Sequence, residues 1–132
     1  MTEPKYKGYK MVPMVVVMGT IFFLSHKAGD EIDLPAFAHS DLVAHMIIYA
    51  VLGAAVVYAW SAGFKRRNPL KVVLYSVNIC LLYGISDEFH QSFVPGRYVS
   101  AMDVLADTVG ALLVCIAWWL YSKKSIGNKN VS

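Results

Sequence analysis

The chain is poor in charge and in cysteine, and it lacks the short motifs of several common enzyme classes. Lys, Arg, Asp and Glu make up 16% of its 132 residues, against about 25% in soluble domains. No glycine-rich phosphate loop, nucleophile elbow or CxxC pair occurs, which argues against phosphate-loop, serine-hydrolase and thioredoxin-like chemistry. Cys80 and Cys115 lie in apolar stretches without metal-site spacing, so we expect buried thiols.

Long hydrophobic runs take the place of charge, since 57% of the residues are hydrophobic. At about 1.5 Å per residue, a helical run of this length covers much or all of a bilayer core of about 30 Å. The first run has a basic lead but no small-residue cleavage site after it, which favours a retained helix over a signal peptide. We predict one all-α integral membrane domain over 1–132, with four transmembrane helices in an antiparallel bundle, at about 9–25, 41–60, 70–86 and 104–121.

Basic residues are sorted by side. Ten of the twelve precede the first run, separate the second from the third, or follow the fourth; the exceptions are Lys27 and Arg97. Because cytoplasmic loops carry the excess of Lys and Arg, both termini are predicted to be cytoplasmic. We therefore attribute the net charge of +3 to this positive-inside pattern, and we expect no nucleic-acid partner.

Carboxylates and imidazoles collect at the opposite ends of the runs. Such groups are costly to desolvate beside a membrane and usually serve a function. We therefore predict a polar site at the extracytoplasmic ends of the second, third and fourth helices. Every acidic residue except Glu3 and all four histidines fall in or beside the two outer connections: His26, Asp30, Glu31, Asp33, His39, Asp41, His45, Asp87, Glu88, His90, Asp103 and Asp107.

The second helix carries Asp41, His45 and Tyr49 at a spacing of four residues, so the three side chains share one face. Asp41 or Ser40 is predicted to cap the start of this helix. His45 lies one turn inside the apolar run, between an acid and a tyrosine. We interpret it as part of a polar site.

The end of the third run carries Asp87 and Glu88, followed closely by His90 and Gln91. Negative charge is unfavourable at a helix C-terminus. The acid pair therefore faces a compensating cation, or the helix continues beyond residue 86. Both alternatives stay open from the sequence.

A Pro-Gly turn then returns Arg97 toward the acids. Arg97 either forms an ion pair with Glu88 or Asp103 or clamps an anion with its planar guanidinium. Ser100 is a candidate N-cap of the fourth helix, and Asp103 three residues later resembles a capping box. Asp107 lies too deep for capping and needs a partner.

The charges of this region do not balance. Five carboxylates stand against the guanidinium of Arg97, so the cluster requires protons, a bound cation or a cationic ligand. Carboxylates with imidazole would suit Mg²⁺, Ca²⁺, Mn²⁺ or Zn²⁺, and the spacing does not select among them. The candidate ligands are Asp41, His45, Asp87, Glu88 and Asp103.

Three strings stand out in the chain: Phe23-Leu24-Ser25-His26, Asp41-x-x-x-His45-x-x-x-Tyr49, and Gly84-x-x-Asp87-Glu88-Phe89-His90-Gln91-x-Phe93-x-Pro95-Gly96-Arg97-x-x-Ser100-x-x-Asp103. Together they resemble the VanZ-like family of small bacterial membrane proteins. The chain departs at Leu42, where members often carry Lys, and at Asp107, where they often carry Asn. The family's name comes from a protein linked to teicoplanin resistance. The resemblance therefore implies an inner-membrane protein that affects the cell envelope, with glycopeptide resistance only as a family-level trait.

Three functions remain open. The site either acts on an envelope lipid or lipid-linked precursor, binds one without turnover, or holds the helix ends together as a structural or assembly factor. In the enzyme hypothesis the catalytic candidates are Asp87, Glu88, His45, His90 and Asp103. Head-group binding is assigned to Gln91, Arg97, Tyr49 and Asp41. The sequence does not choose between catalysis and binding, and it does not give the oligomeric state.

Overall fold

The computed structural model describes residues 7–27 and 39–129, with side chains as far as residue 125. Asp30, Glu31 and Asp33, which follow the first apolar run, lie outside these ranges. A 3-10 turn, Gly8–Met11, leads into the first helix. The five helices are α1 (Val12–His26), α2 (Ser40–Ala59), α3 (Ala62–Arg67), α4 (Pro69–Gln91) and α5 (Ala101–Lys129).

Four of these helices are long and apolar enough to cross a membrane: α1 with its 3-10 lead, α2, α4 and α5. Within the described ranges every regular element is helical. The prediction of an all-α protein with four membrane-length helices is therefore confirmed. α1 is the least buried of the four, with 11% of its apolar window inside the protein, whereas α2 has 39%.

Several helix bounds differ from the predicted ones, most of all the ends of α4 and α5. α4 continues through Gln91 instead of ending near residue 86, and α5 runs to Lys129 instead of ending near 121. The connection between α2 and α4 contains the short helix α3, whose start is capped by Ser61 Oγ accepting from Phe64 N at 3.2 Å. The predicted bounds follow the ends of the apolar runs. The helices continue beyond them, because backbone hydrogen bonding does not stop at the polar residues.

Small residues bring α2 and α5 into close contact. A Cβ atom at Gly110 would overlap the backbone carbonyl of Met46, and one at Gly53 would lie 3.2 Å from the Cα of Ala111. Close approach through small residues is a common way for membrane helices to pack. Cys80 and Cys115 are free thiols buried inside the protein, as predicted.

We expect Gly110→Ala to destabilise the protein by about 1–3 kcal/mol, because the added methyl group overlaps the α2 backbone. Gly19→Ala is the matched control, since a Cβ atom added at that position of α1 would have nothing within 4 Å. Thermal unfolding in detergent measures both. Equal unfolding temperatures for the two variants would contradict the close contact of α2 and α5.

Candidate functional site

Polar side chains from four helices meet at one end of the bundle. Ser25 near the end of α1 contacts Asp87 near the end of α4, and His45 near the start of α2 contacts Asp107 near the start of α5. Ser25, Asp87 and Asp107 are buried, and His45 is half-buried. The structure thus collects in one place residues that lie up to 82 positions apart, from Ser25 to Asp107.

The first part of the site is a network on α1 and α4. Asp87 Oδ2 accepts hydrogen bonds from Ser25 Oγ at 2.8 Å and from Gln91 Nε2 at 3.1 Å. Gln91 Nε2 also lies 3.3 Å from Ser25 Oγ. All three side chains are at most 5% exposed. Because buried polar groups need partners, this network fixes the carboxylate of Asp87 and connects α1 to α4.

The second part is a histidine held between two acids. His45 Nδ1 lies 2.9 Å from Asp107 Oδ1, while Nε2 lies 3.9 Å from Asp103 Oδ2. With Nδ1–H donating to Asp107, the neutral imidazole carries its lone pair on Nε2. Asp107 is 0% exposed, so the partner that the sequence required for it is His45.

Gly84 on α4 makes room for this arrangement. A Cβ atom there would lie 3.0 Å from Asp107 Oδ2 and 3.5 Å from Tyr49 Cε1. The first distance is tighter than an ordinary van der Waals contact. A side chain at this position would therefore push against Asp107 and Tyr49.

Glu88 joins the end of α4 to the start of α5. Its Oε2 accepts from the backbone N–H of Ser100 at 3.0 Å, and Ser100 Oγ accepts from Met102 N at 3.2 Å. Ser100 thus accepts from the first turn of α5 as predicted, but the capping box with Asp103 is wrong. In a capping box the third helical residue would accept the Ser100 N–H. Here Glu88 accepts it, and Asp103 approaches His45.

The predicted cap of α2 is also wrong. Its N-cap residue is His39, with a left-handed φ of 62°, and no side-chain hydrogen bond caps the helix. Ser40 and Asp41 are already helical. The exposed carboxylate of Asp41 still lies in the first turn, where negative charge suits the helix dipole.

Arg97 has partners that the sequence did not suggest. Its Nε donates to the carbonyl of Lys27 at 3.1 Å, and its Nη2 donates to the carbonyl of Leu24 at 2.8 Å. Within the described ranges it forms no ion pair with Glu88 or Asp103. A cation at the C-terminus of a helix meets free carbonyls and the negative end of the dipole. Arg97 therefore fastens the end of α1.

His90 contacts α1 instead of the acids. Its Nε2 lies 3.2 Å from His26 Nδ1, and its ring centroid is 4.5 Å from that of Phe22. The structure therefore separates this imidazole from His45, although both were predicted as catalytic candidates.

A cavity of about 160 Å³ opens between α1, α2 and α4 beside these groups. Ile21, Leu24, Ala44 and Ile48 supply its apolar wall. Its polar lining consists of Ser25, Asp41, His45, Tyr49, Asp87, Gln91 and Arg97. Asp41, His45 and Tyr49 thus share a surface, as their spacing predicted. The cavity thus has an apolar wall and a set of polar groups, and it lies at one end of the helix bundle.

The electrostatics of the site are unusual for a protein interior. Asp87, Glu88, Asp103 and Asp107 are all at most 8% exposed. In the part of the chain that the structure describes, no Lys or Arg lies within ion-pair distance of them, and only His45 does. Two of their oxygens, Glu88 Oε1 and Asp107 Oδ2, are buried without a hydrogen-bond partner, as is the hydroxyl of Tyr49.

Of the five metal ligands predicted from sequence, the structure groups three. Ligand atoms of His45, Glu88 and Asp103 lie within 4.8 Å of one another. The remaining two, Asp41 and Asp87, do not belong to this group: Asp41 is exposed, and Asp87 is held by Ser25 and Gln91.

Ser25 and Gly84 were not predicted as parts of the site. Both lie inside the strings that carry the family resemblance, but neither residue type signals chemistry by itself. Their roles depend on contacts between helices, with Asp87 for Ser25 and with Asp107 and Tyr49 for Gly84.

Comparison with known proteins identifies the family. A model of the VanZ/LLP1 family matches residues 2–122, which is most of the chain, so the protein belongs to this family. The resemblance drawn from the three strings is thereby confirmed. No curated protein and no solved structure matches the chain at a significant level.

We expect Arg97→Met to destabilise the protein by about 2 kcal/mol, because two charge-assisted hydrogen bonds to α1 are lost while the apolar stem is kept. Chemical denaturation in mixed micelles measures this change. The matched control is Arg67→Met, which removes an exposed cation from α3 and should change stability little. Similar small effects in both variants would show that Arg97 does not fasten α1.

Proposed function

We propose that this VanZ/LLP1 family member binds a cell-envelope lipid or lipid-linked precursor from the extracytoplasmic side of the inner membrane. The observation that carries the proposal is the cavity between α1, α2 and α4, whose wall is apolar and whose remaining lining is polar. Ligand sites are commonly apolar pockets with a few convergent polar groups. Here such a pocket lies among helices of membrane length.

The orientation of the site follows from the placement of basic residues. The chain is taken to be an antiparallel bundle with cytoplasmic termini, because ten of its twelve Lys and Arg residues fall at the ends away from the acids. Contacts at that other end support this arrangement. Lys10 lies over the ring of Tyr58 at 5.2 Å, and Trp60 Nε1 donates to Ser76 Oγ. The acids then face the outside of the cell.

The lining determines which ligand fits. The apolar wall suits an acyl or isoprenoid chain, while Asp87, Gln91 and His45 suit hydroxyl or amine groups of a head group. Buried carboxylates repel a bare phosphate. A lipid with a sugar or amine head group is therefore favoured, and a phosphate group requires a compensating cation, either the guanidinium of Arg97 in the lining or a bound metal ion.

Catalysis on the bound lipid is the stronger form of the proposal. Of the five catalytic candidates, only Asp87 and His45 line the cavity, so proton transfer is assigned to them. The weaker form assigns the same two groups to head-group binding alone. Teicoplanin resistance remains a property suggested at the level of the family.

A structural or assembly role is the second candidate function. It is favoured by the contacts that attach α1, the least buried of the four long helices, to the rest of the protein. These are the hydrogen bond of Ser25 with Asp87 and the two bonds from Arg97. In this case the polar cluster connects helix ends, and the cavity is a by-product.

Filling the cavity tests the proposal. We expect Ile48→Trp to remove co-purifying lipid, because Ile48 lines the cavity and an indole would occupy its space. Native mass spectrometry in mild detergent measures bound lipid. Ile47→Trp is the matched control, since the neighbouring side chain is 60% exposed on the outer surface of α2 and should leave the lipid bound.

Two results would contradict this expectation. Lipid retained equally by both tryptophan variants would place binding outside the cavity. Wild-type protein that carries no envelope lipid, even after incubation with a total lipid extract, would favour the structural role.

A further inference from the structure

We propose that His45, Glu88 and Asp103 bind one divalent transition-metal ion. One ligand atom from each residue lies within 4.8 Å of the others, and the residues come from three different helices, α2, α4 and α5. The inference rests on these three residues and their contacts, and it does not require that the cavity bind a lipid.

The histidine is oriented as metal-binding histidines are. A ligating imidazole typically donates its other N–H to a carboxylate, which fixes the tautomer and raises the basicity of the ligating nitrogen. His45 Nδ1 has such a partner in Asp107 Oδ1 at 2.9 Å. Nε2 is left on the side of Asp103, whose Oδ2 is 3.9 Å away. Asp107 is thus a positioning residue for His45 and not a ligand.

Glu88 supplies an independent reason for a ligand at this place. Its side chain is 4% exposed, and its two oxygens differ. Oε2 accepts from the backbone N–H of Ser100, whereas Oε1 is buried with no hydrogen-bond partner. A buried carboxylate oxygen without a partner is costly and rare in native proteins. Metal coordination would satisfy this oxygen without disturbing the bond to Ser100.

The charge balance of the cluster also favours a bound cation. Glu88 and Asp103 are buried, and no Lys or Arg in the described ranges forms an ion pair with either. Arg97, which was predicted as a possible ion-pair partner of these acids, instead binds carbonyls at the end of α1. A divalent ion would neutralise the two carboxylates together, as buried charges require.

The donor set selects the class of ion. One imidazole nitrogen and two carboxylate oxygens suit Zn²⁺ or Mn²⁺ better than Mg²⁺ or Ca²⁺, which prefer oxygen ligands throughout. Ligand atoms about 2.1 Å from a tetrahedral ion lie about 3.4 Å apart. The 3.9 Å between His45 Nε2 and Asp103 Oδ2 therefore closes with a small side-chain shift.

The ion changes the roles at the neighbouring cavity. His45 lines that cavity, and coordination of Nε2 withdraws its imidazole from proton transfer. Of the catalytic candidates that line the cavity, Asp87 then remains as the acid–base group. Three protein ligands also leave a coordination position for water or for an oxygen of a bound molecule.

Metal stoichiometry tests the proposal. Chelator-stripped wild-type protein in detergent is dialysed against Zn²⁺ or Mn²⁺ and analysed by inductively coupled plasma mass spectrometry. We expect one ion per chain, with affinity reduced about tenfold or more in Glu88→Gln and Asp103→Asn. Asp107→Asn should weaken binding about 10–100-fold through the orientation of His45. His39→Asn, which removes an exposed imidazole just before α2 at the same bundle end, should bind as the wild type does.

X-ray absorption of zinc-loaded wild-type protein tests the ligands without relying on folded variants. We expect one imidazole nitrogen and carboxylate oxygens at about 2.0–2.2 Å. Sulfur ligands, an all-water shell, no retained Zn²⁺ or Mn²⁺ in the wild type, or equal binding by all variants would overturn the proposal. Ile48→Trp separates it from the lipid proposal, because that variant should keep the ion whether or not it keeps lipid.

Discussion

The burial of acidic side chains at one end of an apolar helix bundle is the constraint on which the rest of the structure depends. Asp87, Glu88 and Asp107 are each at most 5% exposed, and none has a Lys or Arg partner within the described ranges. Desolvating such groups costs several kcal/mol unless hydrogen bonds or a cation compensate. Each acid here finds its partner on another element, so satisfying the acids also sets the positions of the helix ends.

Each buried acid contacts a different neighbouring element. Asp87 reaches Ser25 on α1, Glu88 reaches the backbone before α5, and Asp107 reaches His45 on α2. Close packing of α2 against α5 through Gly53 and Gly110 provides the rigid part of the frame. α1 packs more loosely and depends more on polar contacts. The site is thus built where a rigid pair of helices meets a less buried one, and the cavity lies along that boundary.

Much of this could be predicted from the sequence, because hydropathy and spacing are local properties. Four apolar runs predicted the four membrane-length helices, and the four-residue spacing of Asp41, His45 and Tyr49 placed them on one cavity surface. The extension of α4 past residue 86 was not predicted, since the apolar pattern stops there although the helix does not. The sequence posed that extension only as one of two alternatives for the acid pair.

Other features depend on contacts that leave no mark in a single sequence. Arg97 binds carbonyl groups at the end of α1, and any residue type can offer a carbonyl, so an acidic partner or a bound anion was expected instead. Glu88 takes the place of Asp103 at the start of α5 because folding brings the end of α4 beside Ser100. The capping motif was recognisable, but the residue that completes it was not.

The buried charge of Glu88 is assigned to a ligand, whereas its hydrogen bond to Ser100 positions the helix ends, and one measurement separates the two roles. The free energy of unfolding of metal-stripped Glu88→Gln is compared with that of the stripped wild type. A neutral amide removes a buried charge, yet its carbonyl oxygen can still accept the Ser100 N–H. We predict that the variant is as stable as the wild type or more stable. A loss of about 2 kcal/mol or more would contradict it and show that the carboxylate holds the bundle together.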